Sequence, residues 1–104
     1  MATFILIHGA WHGGWCWDKV KPLLEKNGHT VVAPDLPGHG EDKTPIADVS
    51  LAAYTERVCQ VIDRQSEKVI LVGHSLGGLS ITQAAEQRPD NIELLVYLTA
   101  LLLK

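Results

Sequence analysis

Residues 69–78 read VILVGHSLGG, an apolar run of strand-forming residues that passes directly into Gly-His-Ser-Leu-Gly. This spacing is that of a nucleophile elbow, in which a serine occupies a tight turn between a strand and a helix. Side chains at Gly73 or Gly77 would collide with the neighbouring strand or helix, which explains a glycine at each flank. The pattern therefore predicts Ser75 as a nucleophile at the end of a strand. The alternative is a serine that only caps the helix.

A second segment, after an earlier strand, carries a related signal. Residues 8–14 read HGAWHGG and follow the predicted strand Thr3–Ile7. Acyl transfer needs N–H donors for the oxyanion of the tetrahedral intermediate. Hydrolases with this elbow take one donor from the residue after the serine and another from such a loop. We therefore expect the N–H groups of Leu76 and Ala10 to form an oxyanion hole, the alternative being an ordinary glycine-rich connection.

The hydrophobic pattern alternates short apolar runs with segments of helical spacing. The predicted strands are Thr3–Ile7, Thr30–Ala33, Lys68–Val72 and Leu94–Leu98. The predicted helices run from about Trp15 or Trp17 to Lys26 with Asn27-Gly28 as C-cap, from Ser50 as N-cap to about Arg64, and from Ser75 to Gln87. Pro22 either marks the first full turn of its helix or kinks it. This order predicts one α/β domain over residues 1–104, a three-layer sandwich with a parallel sheet of about four strands and helices on both faces.

Composition and charge narrow the range of partners. The formal net charge of −3 and the pI near 5.9 argue against nucleic acid or an anionic membrane surface as the main partner. Cys16 and Cys59 match neither a metal-binding spacing nor a CxxC motif, and no signal peptide is visible. We therefore expect free thiols in a cytoplasmic protein with neither a metal nor an organic cofactor. The longest apolar run, Leu94–Leu103, is shorter than the ~20 residues of a membrane-spanning helix.

Together these segments resemble an α/β-hydrolase, and most closely the branch of plant methyl esterases, salicylate-binding esterases and hydroxynitrile lyases. The matching residues are Ile5–Trp17, Lys21–Glu25 with Gly28-His29, Asp35-Leu36, and Lys68–Gly78. The resemblance covers nearly all of this chain but only about half of a family member, its N-terminal half. It implies Ser75 as the nucleophile, the amides of Ala10 and Leu76 as the oxyanion hole, and a strand order of 2-1-3-4.

The resemblance also implies how the chain would handle its substrate. Lyase members of the branch carry a threonine at the position of Gly9, where it contacts the cyanohydrin hydroxyl, whereas the esterases have glycine, as here. Gly9 therefore favours a serine carboxylic-ester hydrolase for small, apolar or aromatic esters and leaves a hydroxynitrile lyase as the alternative. Gly9, the loop residue Trp11 and His74 are candidate substrate contacts, although His74, at the variable elbow position, also suits a structural role. Trp15 and Trp17 are expected in the core.

The family's catalytic aspartate and histidine have no counterpart in these 104 residues, because in family members they follow later strands. None of the five histidines has a motif-defined place beside Ser75. We expect His8 and His12 to have a turn or surface role, and His29 to face solvent. His39 and Asp35 are expected to lie in turns. A serine without a base is a weak nucleophile. We therefore expect little or no activity from the chain alone, the alternative being a truncated, non-catalytic homologue that binds a small ligand or only assembles.

The last predicted strand bears on assembly. The apolar segment Leu94–Leu103 forms one border of the predicted sheet, where the family's sheet would continue with further strands. An unpaired apolar edge is normally resolved by pairing with another chain. We therefore expect self-association through the C-terminal strand, with a small-molecule ester or ligand as the other partner.

Overall fold

Strands and helices alternate along the chain, whose computed structural model describes residues 2–9 and 13–98. The strands are β1 (Thr3–Ile7), β2 (Thr30–Val32), β3 (Val69–His74) and β4 (Ile92–Leu98). The helices are α1 (Lys21–Lys26), α2 (Leu51–Asp63) and α3 (Gly77–Gln87), with short 3₁₀ helices at Gly14–Trp17, Ile46–Asp48 and Pro89–Asn91. The predicted order of elements is confirmed. β3 ends at His74 rather than at Val72, so it reaches the elbow.

The strands form one parallel sheet in the order β2-β1-β3-β4, which confirms the order that the resemblance implied. Ile5, at the centre of β1, lies beside Val32 on one side and Leu71 on the other. Because the central strands are covered on both faces, β1 and β3 consist of continuous rather than alternating apolar residues. The carboxyl ends of parallel strands share one edge of the sheet, so the loop after β1 and the turn after β3 meet there.

Helices α2 and α3 cover one face of the sheet. The Ser50 hydroxyl caps α2, as predicted, by accepting a hydrogen bond from the Ala53 N–H at 3.0 Å. The apolar side of α2 packs on α3 and on the side chains that β1 and β3 direct to this face. The buried members of this larger core are Ile5, Ile7, Leu36, Tyr54, Val58, Cys59, Val61, Ile62, Val69, Leu71, Ile81 and Ala84. This packing holds α3, and with it the elbow, against the sheet.

The opposite face is covered by the segment between β1 and β2. Trp17, at the end of the first 3₁₀ helix, packs on the side chains that the sheet directs to this side. The buried members of this smaller core are Leu6, Trp17, Val31 and Val72. Leu24 of α1 joins it as a partly buried neighbour. The three-layer arrangement with helices on both faces is therefore confirmed.

The first predicted helix is divided in two. Instead of one continuous helix up to Lys26, the 3₁₀ turn Gly14–Trp17 is separated from α1. Pro22 explains the division, because it has no N–H and its ring clashes with the carbonyl one turn earlier. It is therefore accommodated in the first turn of α1, the first of its two predicted roles. The helix ends as predicted at Asn27, where Gly28 adopts a left-handed φ of +89°.

The outer edge of β4 has no neighbouring strand within the described part of the chain. Three of its side chains, Leu94, Tyr97 and Leu98, are 54%, 41% and 39% exposed. Exposed apolar side chains on an edge strand are a feature that chain-to-chain pairing uses. The expected continuation of this apolar segment to Leu103 lies outside the described residues, which end at Leu98.

The helices are short. The longest, α2, has 13 residues, and α1 has 6. A helix needs ~20 predominantly apolar residues to cross a bilayer. Within residues 2–9 and 13–98, no helix has both the length and the apolar character that a membrane span requires.

Candidate active site

Ser75 occupies a strained turn between β3 and α3. Its φ is +66°, in the left-handed region, and no other non-glycine residue among those described has a positive φ. Such a conformation costs about 1–3 kcal/mol and persists only where the surrounding structure enforces it. β3 ends at His74 and α3 begins at Gly77, so the serine lies at the carboxyl edge of the sheet. This is the strand–turn–helix geometry that residues 69–78 predict.

The two elbow glycines are points of close backbone approach. A Cβ on Gly73 would lie 2.8 Å from the carbonyl oxygen of Gly77. A Cβ on Gly77 would lie 2.6 Å from the carbonyl oxygen of Ile7 and 2.8 Å from that of His8. Real Cβ atoms essentially never come within 3.0 Å of such neighbours. The predicted collisions are therefore confirmed, with the first turn of α3 at Gly73 and with the end of β1 at Gly77.

Gly9 packs directly against the candidate nucleophile. The residue is buried just after β1, and a Cβ there would overlap the Cβ of Ser75. The same Cβ would lie 3.0 Å from Ser75 Oγ and 3.0 Å from the His74 carbonyl oxygen. The backbone of Gly9 therefore forms one wall of the space around Ser75 Oγ. A threonine at this position, as in the lyase members of the branch, does not fit on this backbone.

Of the two N–H groups expected to bind an oxyanion, the structure describes only that of Leu76. Leu76 lies in the turn before α3, and its partly buried side chain packs against the larger core. No described residue accepts a hydrogen bond from the Leu76 N–H. This donor is therefore available beside Ser75, at the positive end of the α3 dipole. Ala10, the other expected donor, and Trp11, a candidate substrate contact, lie outside the described residues.

The ring of His74 lies against Trp17, with the centroids 6.4 Å apart and the ring planes at 85°. Trp17 is 6% exposed, which confirms its expected place in the core. Trp15, also expected in the core, is 57% exposed, so that prediction is wrong. The reason is geometric, because residues two apart on a 3₁₀ helix point in different directions and only one of them can face the sheet.

His8 is buried, which excludes the surface role that was one of its two expected roles, and it connects two loops. Its Nε2 accepts a hydrogen bond from the Leu36 N–H at 3.0 Å, and its Nδ1 lies 2.8 Å from the Gly9 carbonyl oxygen. A ring nitrogen that accepts a hydrogen bond carries no proton, so Nδ1 is the protonated nitrogen and donates to Gly9. Both bonds require the neutral imidazole, and both serve the turn after β1.

His39 and His29 also form hydrogen bonds with backbone groups. His39 lies in the turn where the sequence places it, with Nδ1 3.1 Å from the Pro37 carbonyl oxygen. His29, expected to face solvent, is partly buried. Its Nδ1 accepts a hydrogen bond from the Ala2 N–H at 3.0 Å, and its ring meets the Phe4 ring edge-on because the chain entering β1 runs beside β2. The remaining loop histidine, residue 12, lies outside the described residues.

Asp35 connects the loop after β1 to the loop after β2. Its Oδ1 accepts a hydrogen bond from the Gly14 N–H at 2.6 Å, and its Oδ2 accepts one from the Glu41 N–H at 3.1 Å. Through Glu41 the carboxylate stabilises a turn, as predicted. The bond to Gly14, 21 residues earlier, does not follow from local turn chemistry. The Gly13-Gly14 pair is the only sequence signal that could have indicated it.

A salt bridge attaches this second loop to α2. Arg57 Nη1 donates to the Asp35 carbonyl oxygen at 2.8 Å and to Asp42 Oδ2 at 2.9 Å. Asp42 Oδ1 accepts hydrogen bonds from the Thr44 N–H at 2.8 Å and the Gly38 N–H at 2.9 Å. These bonds, those from Thr44 first, hold the pKa of the Asp42 carboxyl well below its ordinary value. Neither Arg57 nor Asp42 belongs to a motif that sequence reasoning could single out.

The described residues contain no group of three or more histidine, cysteine, aspartate or glutamate side chains placed to hold a metal ion. Both cysteines are free thiols, as expected. Burial raises the pKa of the Cys59 thiol, which belongs to the larger core, and it also raises the pKa of Cys16. The raised pKa values keep both thiols protonated and weakly reactive at neutral pH.

Comparison with known proteins agrees with this geometry. The sequence profile described as the alpha/beta hydrolase family matches residues 4–103. The chain belongs to the alpha/beta hydrolase family. Methylesterase 2 of Arabidopsis thaliana is 50% identical to this chain over 101 residues, which cover 93% of this chain and 38% of the relative. Salicylic acid-binding protein 2 of Nicotiana tabacum is 48% identical over 100 residues, again covering 93% of this chain and 38% of the relative.

Solved structures show the same likeness. The crystal structure of polyneuridine aldehyde esterase matches with a TM-score of 0.88 and 38% identity, covering 93% of this chain and 39% of that one. This alpha/beta hydrolase chain thus spans about 38% of the length of the curated relatives named above, less than the half that the resemblance implied. The resemblance is confirmed for the family, for the fold and for a likeness to the plant esterases.

The hydrolase fold brings together the expected site residues that are described. Ser75, Leu76 and Gly9 meet where the elbow crosses the end of β1. His74 contributes its carbonyl oxygen to this contact, while its ring packs on Trp17. The site therefore consists mainly of backbone around a single hydroxyl group, and the side chains that hold this backbone come from the neighbouring loops.

Gly77→Val should lower the free energy of unfolding much more than Ser75→Ala. The valine side chain would press into the backbone of β1, and overpacking of this kind costs about 1–3 kcal/mol or more. Ser75 Oγ has no hydrogen bond to a described residue, so its loss should cost less than about 0.5 kcal/mol. Urea unfolding midpoints of the two variants and the wild type measure the difference. Equal destabilisation by Ser75→Ala would show that the serine has a structural role.

Asp42→Asn should remove part of the acid sensitivity of the protein. The pKa of this carboxyl is lowered from 3.8 in the folded state, so the unfolded chain binds the proton more readily. Its contribution to stability is therefore present above about pH 4 and declines as the pH falls further. Urea unfolding from about pH 6 to about pH 3 should show a smaller loss of stability in Asp42→Asn than in the wild type. Exposed Asp90→Asn is the control, and identical pH profiles for Asp42→Asn and the wild type would contradict the prediction.

Proposed function

We propose that this protein is a serine hydrolase of carboxylic esters with Ser75 as its nucleophile. The observation that carries the proposal is the left-handed turn at Ser75, with the Leu76 N–H and the Gly9 backbone beside it. A serine held in this strained turn is unfavourable for stability, and it is what acyl transfer at an elbow requires. The names methylesterase 2 and polyneuridine aldehyde esterase, borne by two relatives, are consistent with ester hydrolysis.

In the proposed reaction Ser75 Oγ attacks the carbonyl carbon of the ester. A C–O bond forms while the carbonyl electron pair moves onto oxygen, and the N–H groups of Leu76 and Ala10 donate to the resulting oxyanion. The Ser75 proton passes to a base and then to the departing alcohol as the ester C–O bond breaks. Water then attacks the acyl-serine, and the acid leaves as Ser75 regains its proton. This chemistry needs neither a metal nor an organic cofactor.

The proposed reaction needs a base for Ser75, which neither a motif nor a hydrogen bond to Ser75 Oγ identifies among the described residues. The hydrogen bonds of His8, His29 and His39 within the described part of the chain involve backbone groups, and none of them reaches Ser75 Oγ. As the resemblance implies, we propose that the catalytic histidine and its carboxylate partner are not among these 104 residues. The 104 residues alone then hydrolyse esters slowly at most, through the oxyanion site.

Small apolar or aromatic esters are the proposed substrates. At Gly9 the wall beside Ser75 Oγ is backbone with no side chain, which suits close approach of an ester carbonyl. Trp11 and His74 are the proposed aromatic contacts, and the His74 ring packs on Trp17. Aromatic rings with a few polar groups between them favour apolar and aromatic ligands. A cyanohydrin is disfavoured because Gly9 lacks the hydroxyl that, in the lyase members of the branch, contacts the cyanohydrin.

Added imidazole should raise ester hydrolysis in a manner that depends on Ser75. Without imidazole, Ser75 has no base, and turnover of p-nitrophenyl acetate should lie well below the ~1–10³ s⁻¹ of ordinary enzymes. Added imidazole can take the place of that base. With imidazole the rate should rise severalfold above that of imidazole alone. The release of p-nitrophenolate is followed by absorbance, with Ser75→Ala protein in the same buffer as the background.

A fluorophosphonate, added in the same imidazole buffer so that Ser75 has a base, gives a second readout because it forms a covalent bond with an activated serine. Mass spectrometry should find the label on Ser75, none in Ser75→Ala, and full labelling in Ser66→Ala, a control that removes an exposed serine before β3. Hydrolysis or labelling that survives Ser75→Ala would overturn the proposal and favour the ligand-binding alternative. Enzyme-like turnover without imidazole would show that a histidine within these residues acts as the base.

We propose that the protein associates with a second copy of itself through β4. In the described part of the chain the outer edge of β4 has no partner strand, and three of its apolar side chains are exposed. The N–H and C=O groups of such an edge can pair with the same edge of another copy. The net charge of −3 provides weak repulsion between copies.

Leu94→Lys should shift the protein toward the monomer, because a charge on an edge strand opposes edge-to-edge pairing. Leu23→Lys is the matched control, since Leu23 is 64% exposed but lies on α1, beside β2. Light scattering behind size exclusion, over a range of protein concentrations, gives the mass. The mass of the wild type and of Leu23→Lys should rise with concentration more than that of Leu94→Lys. A monomer mass for the wild type at the highest concentration would refute the proposal.

A further inference from the structure

His8 lies where the elbow crosses the end of β1. A Cβ on Gly77 would lie 2.8 Å from the His8 carbonyl oxygen, and the next residue, Gly9, packs on Ser75. The His8 ring is buried, and each of its nitrogens has a backbone partner, Gly9 on one side and Leu36 on the other. His8 is therefore bonded directly to the residue that forms the wall beside Ser75 Oγ.

Leu36 decides which nitrogen of the His8 ring carries the proton. A backbone N–H can only donate, so His8 Nε2, 3.0 Å from the Leu36 nitrogen, is the unprotonated nitrogen of the neutral ring. The proton is then on Nδ1, which donates to the Gly9 carbonyl oxygen at 2.8 Å. The same bond to Leu36 occupies the lone pair that a base would use. His8 is therefore a hydrogen-bond donor to Gly9 and not the base for Ser75.

The His8 ring is fixed relative to the larger core. The Leu36 side chain is 1% exposed and belongs to that core. The ring of His39 lies beside the ring of His8, with the centroids 5.1 Å apart, and it also meets the ring of Tyr54 on α2 at 5.6 Å. A buried ring that is packed in this way and bonded at both nitrogens has little room to change its rotamer.

Gly9 carries this position to the candidate nucleophile. The hydrogen that stands in place of a Cβ on Gly9 points at the Ser75 side chain, since a Cβ there would lie 3.0 Å from Ser75 Oγ. Glycine is needed for this close approach, but its backbone is the least restricted of all residues. The hydrogen bond from His8 Nδ1 to the Gly9 carbonyl therefore supplies a restraint that glycine itself lacks.

We propose that His8 is a positioning residue for Ser75, whose Nδ1–H holds the Gly9 backbone in place beside the nucleophile. This inference rests on the proposed function. A displacement of ~1 Å at a reacting group can lower the rate by about 10²-fold. Without the bond, the Gly9 backbone is free to move into the space that an ester carbonyl must enter. His8 acts through Gly9 and takes no proton from Ser75.

The tautomer of His8 in the wild type is the first test, and it needs no variant. With ¹⁵N-labelled histidine, NMR at neutral pH should give His8 Nδ1 the chemical shift of a protonated ring nitrogen and Nε2 that of an unprotonated one. The bond from the Leu36 N–H requires this result. A proton on Nε2, alone or together with one on Nδ1, would overturn the inference.

Two substitutions then separate the two bonds of the ring. The amide of asparagine places an N–H near the position of Nδ1, so His8→Asn keeps the donor to Gly9 and loses the acceptor for Leu36. The longer glutamine reaches the position of Nε2, so His8→Gln keeps the acceptor for Leu36 and loses the donor to Gly9. Each variant is the matched control for the other, because each removes one hydrogen bond from the same buried side chain.

NMR also measures what each bond holds. The nuclear Overhauser effect between Gly9 Hα and Ser75 Hβ should be strong in the wild type and in His8→Asn, and weak or absent in His8→Gln. Hydrogen exchange of the Leu36 amide should show the reverse, about tenfold or more faster in His8→Asn and near the wild type in His8→Gln. A Gly9–Ser75 effect that is unchanged in His8→Gln would overturn the inference.

Labelling of Ser75 by the fluorophosphonate, in the imidazole buffer, measures the consequence for reactivity. His8→Gln should lower the labelling rate constant at saturation by about tenfold and change the half-saturation concentration by less than about twofold, because the reacting group is misplaced while the reagent still binds. His8→Asn should retain most of the rate constant. A general loss of stability would affect both variants.

Equal losses of labelling in His8→Asn and His8→Gln would therefore overturn the inference, since His8 would then have only a general structural role. If wild-type Ser75 is not labelled at all, the proposed function fails. The tautomer and the Gly9–Ser75 effect still decide in that case whether His8 holds Gly9 beside Ser75, so the two failures are distinguishable. If His8→Gln does not fold, the tautomer of the wild type remains the deciding measurement.

Discussion

Gly77 brings the first turn of α3 so close to the carbonyl oxygens of Ile7 and His8 that a Cβ would lie 2.6 Å from the first of them. This approach sets the position of the elbow relative to the loop after β1. A wider separation would take Ser75 away from Gly9, where the lack of a side chain lets the two segments meet. The left-handed φ of Ser75 follows from the same constraint, because the chain must turn from strand to helix while it stays against β1. The nucleophile is thus positioned by backbone contacts.

Buried backbone around a site needs hydrogen-bond partners for its polar groups, and here these partners are side chains from three segments: the end of β1, the loop after β2, and α2. His8, Asp35 and Arg57 bind backbone N–H or C=O groups of other segments at 2.6 to 3.0 Å. In a buried environment such bonds are stronger than in water, and an unpaired group is correspondingly unfavourable. Each of these side chains therefore links two segments that are distant in sequence. Together they connect the larger core, through α2, to His8 and Gly14, which flank the loop after β1.

Local residue patterns were sufficient to predict the strands, the start of α2 and the elbow. The apolar runs placed all the strands, because central strands of a covered parallel sheet must be apolar on both faces. Ser50 marked the start of α2, since its hydroxyl binds an N–H only three residues ahead. The elbow was recognisable because its glycines and its serine lie within five consecutive residues, Gly73–Gly77, and each answers a steric demand of the turn itself.

The chain's own pattern therefore determined the order of elements, the parallel sheet and the candidate nucleophile, since all of these depend on residues close together in sequence. Tertiary structure decided which of Trp15 and Trp17 is buried, that His8 is a core residue, and that Asp35 binds Gly14. The last two are decided by hydrogen bonds between residues 28 and 21 positions apart. Such partners meet only when the sheet has aligned the ends of β1 and β2 and α2 has anchored the loop between them. No spacing in the sequence predicts these two long-range hydrogen bonds, so they could be identified only from the folded structure.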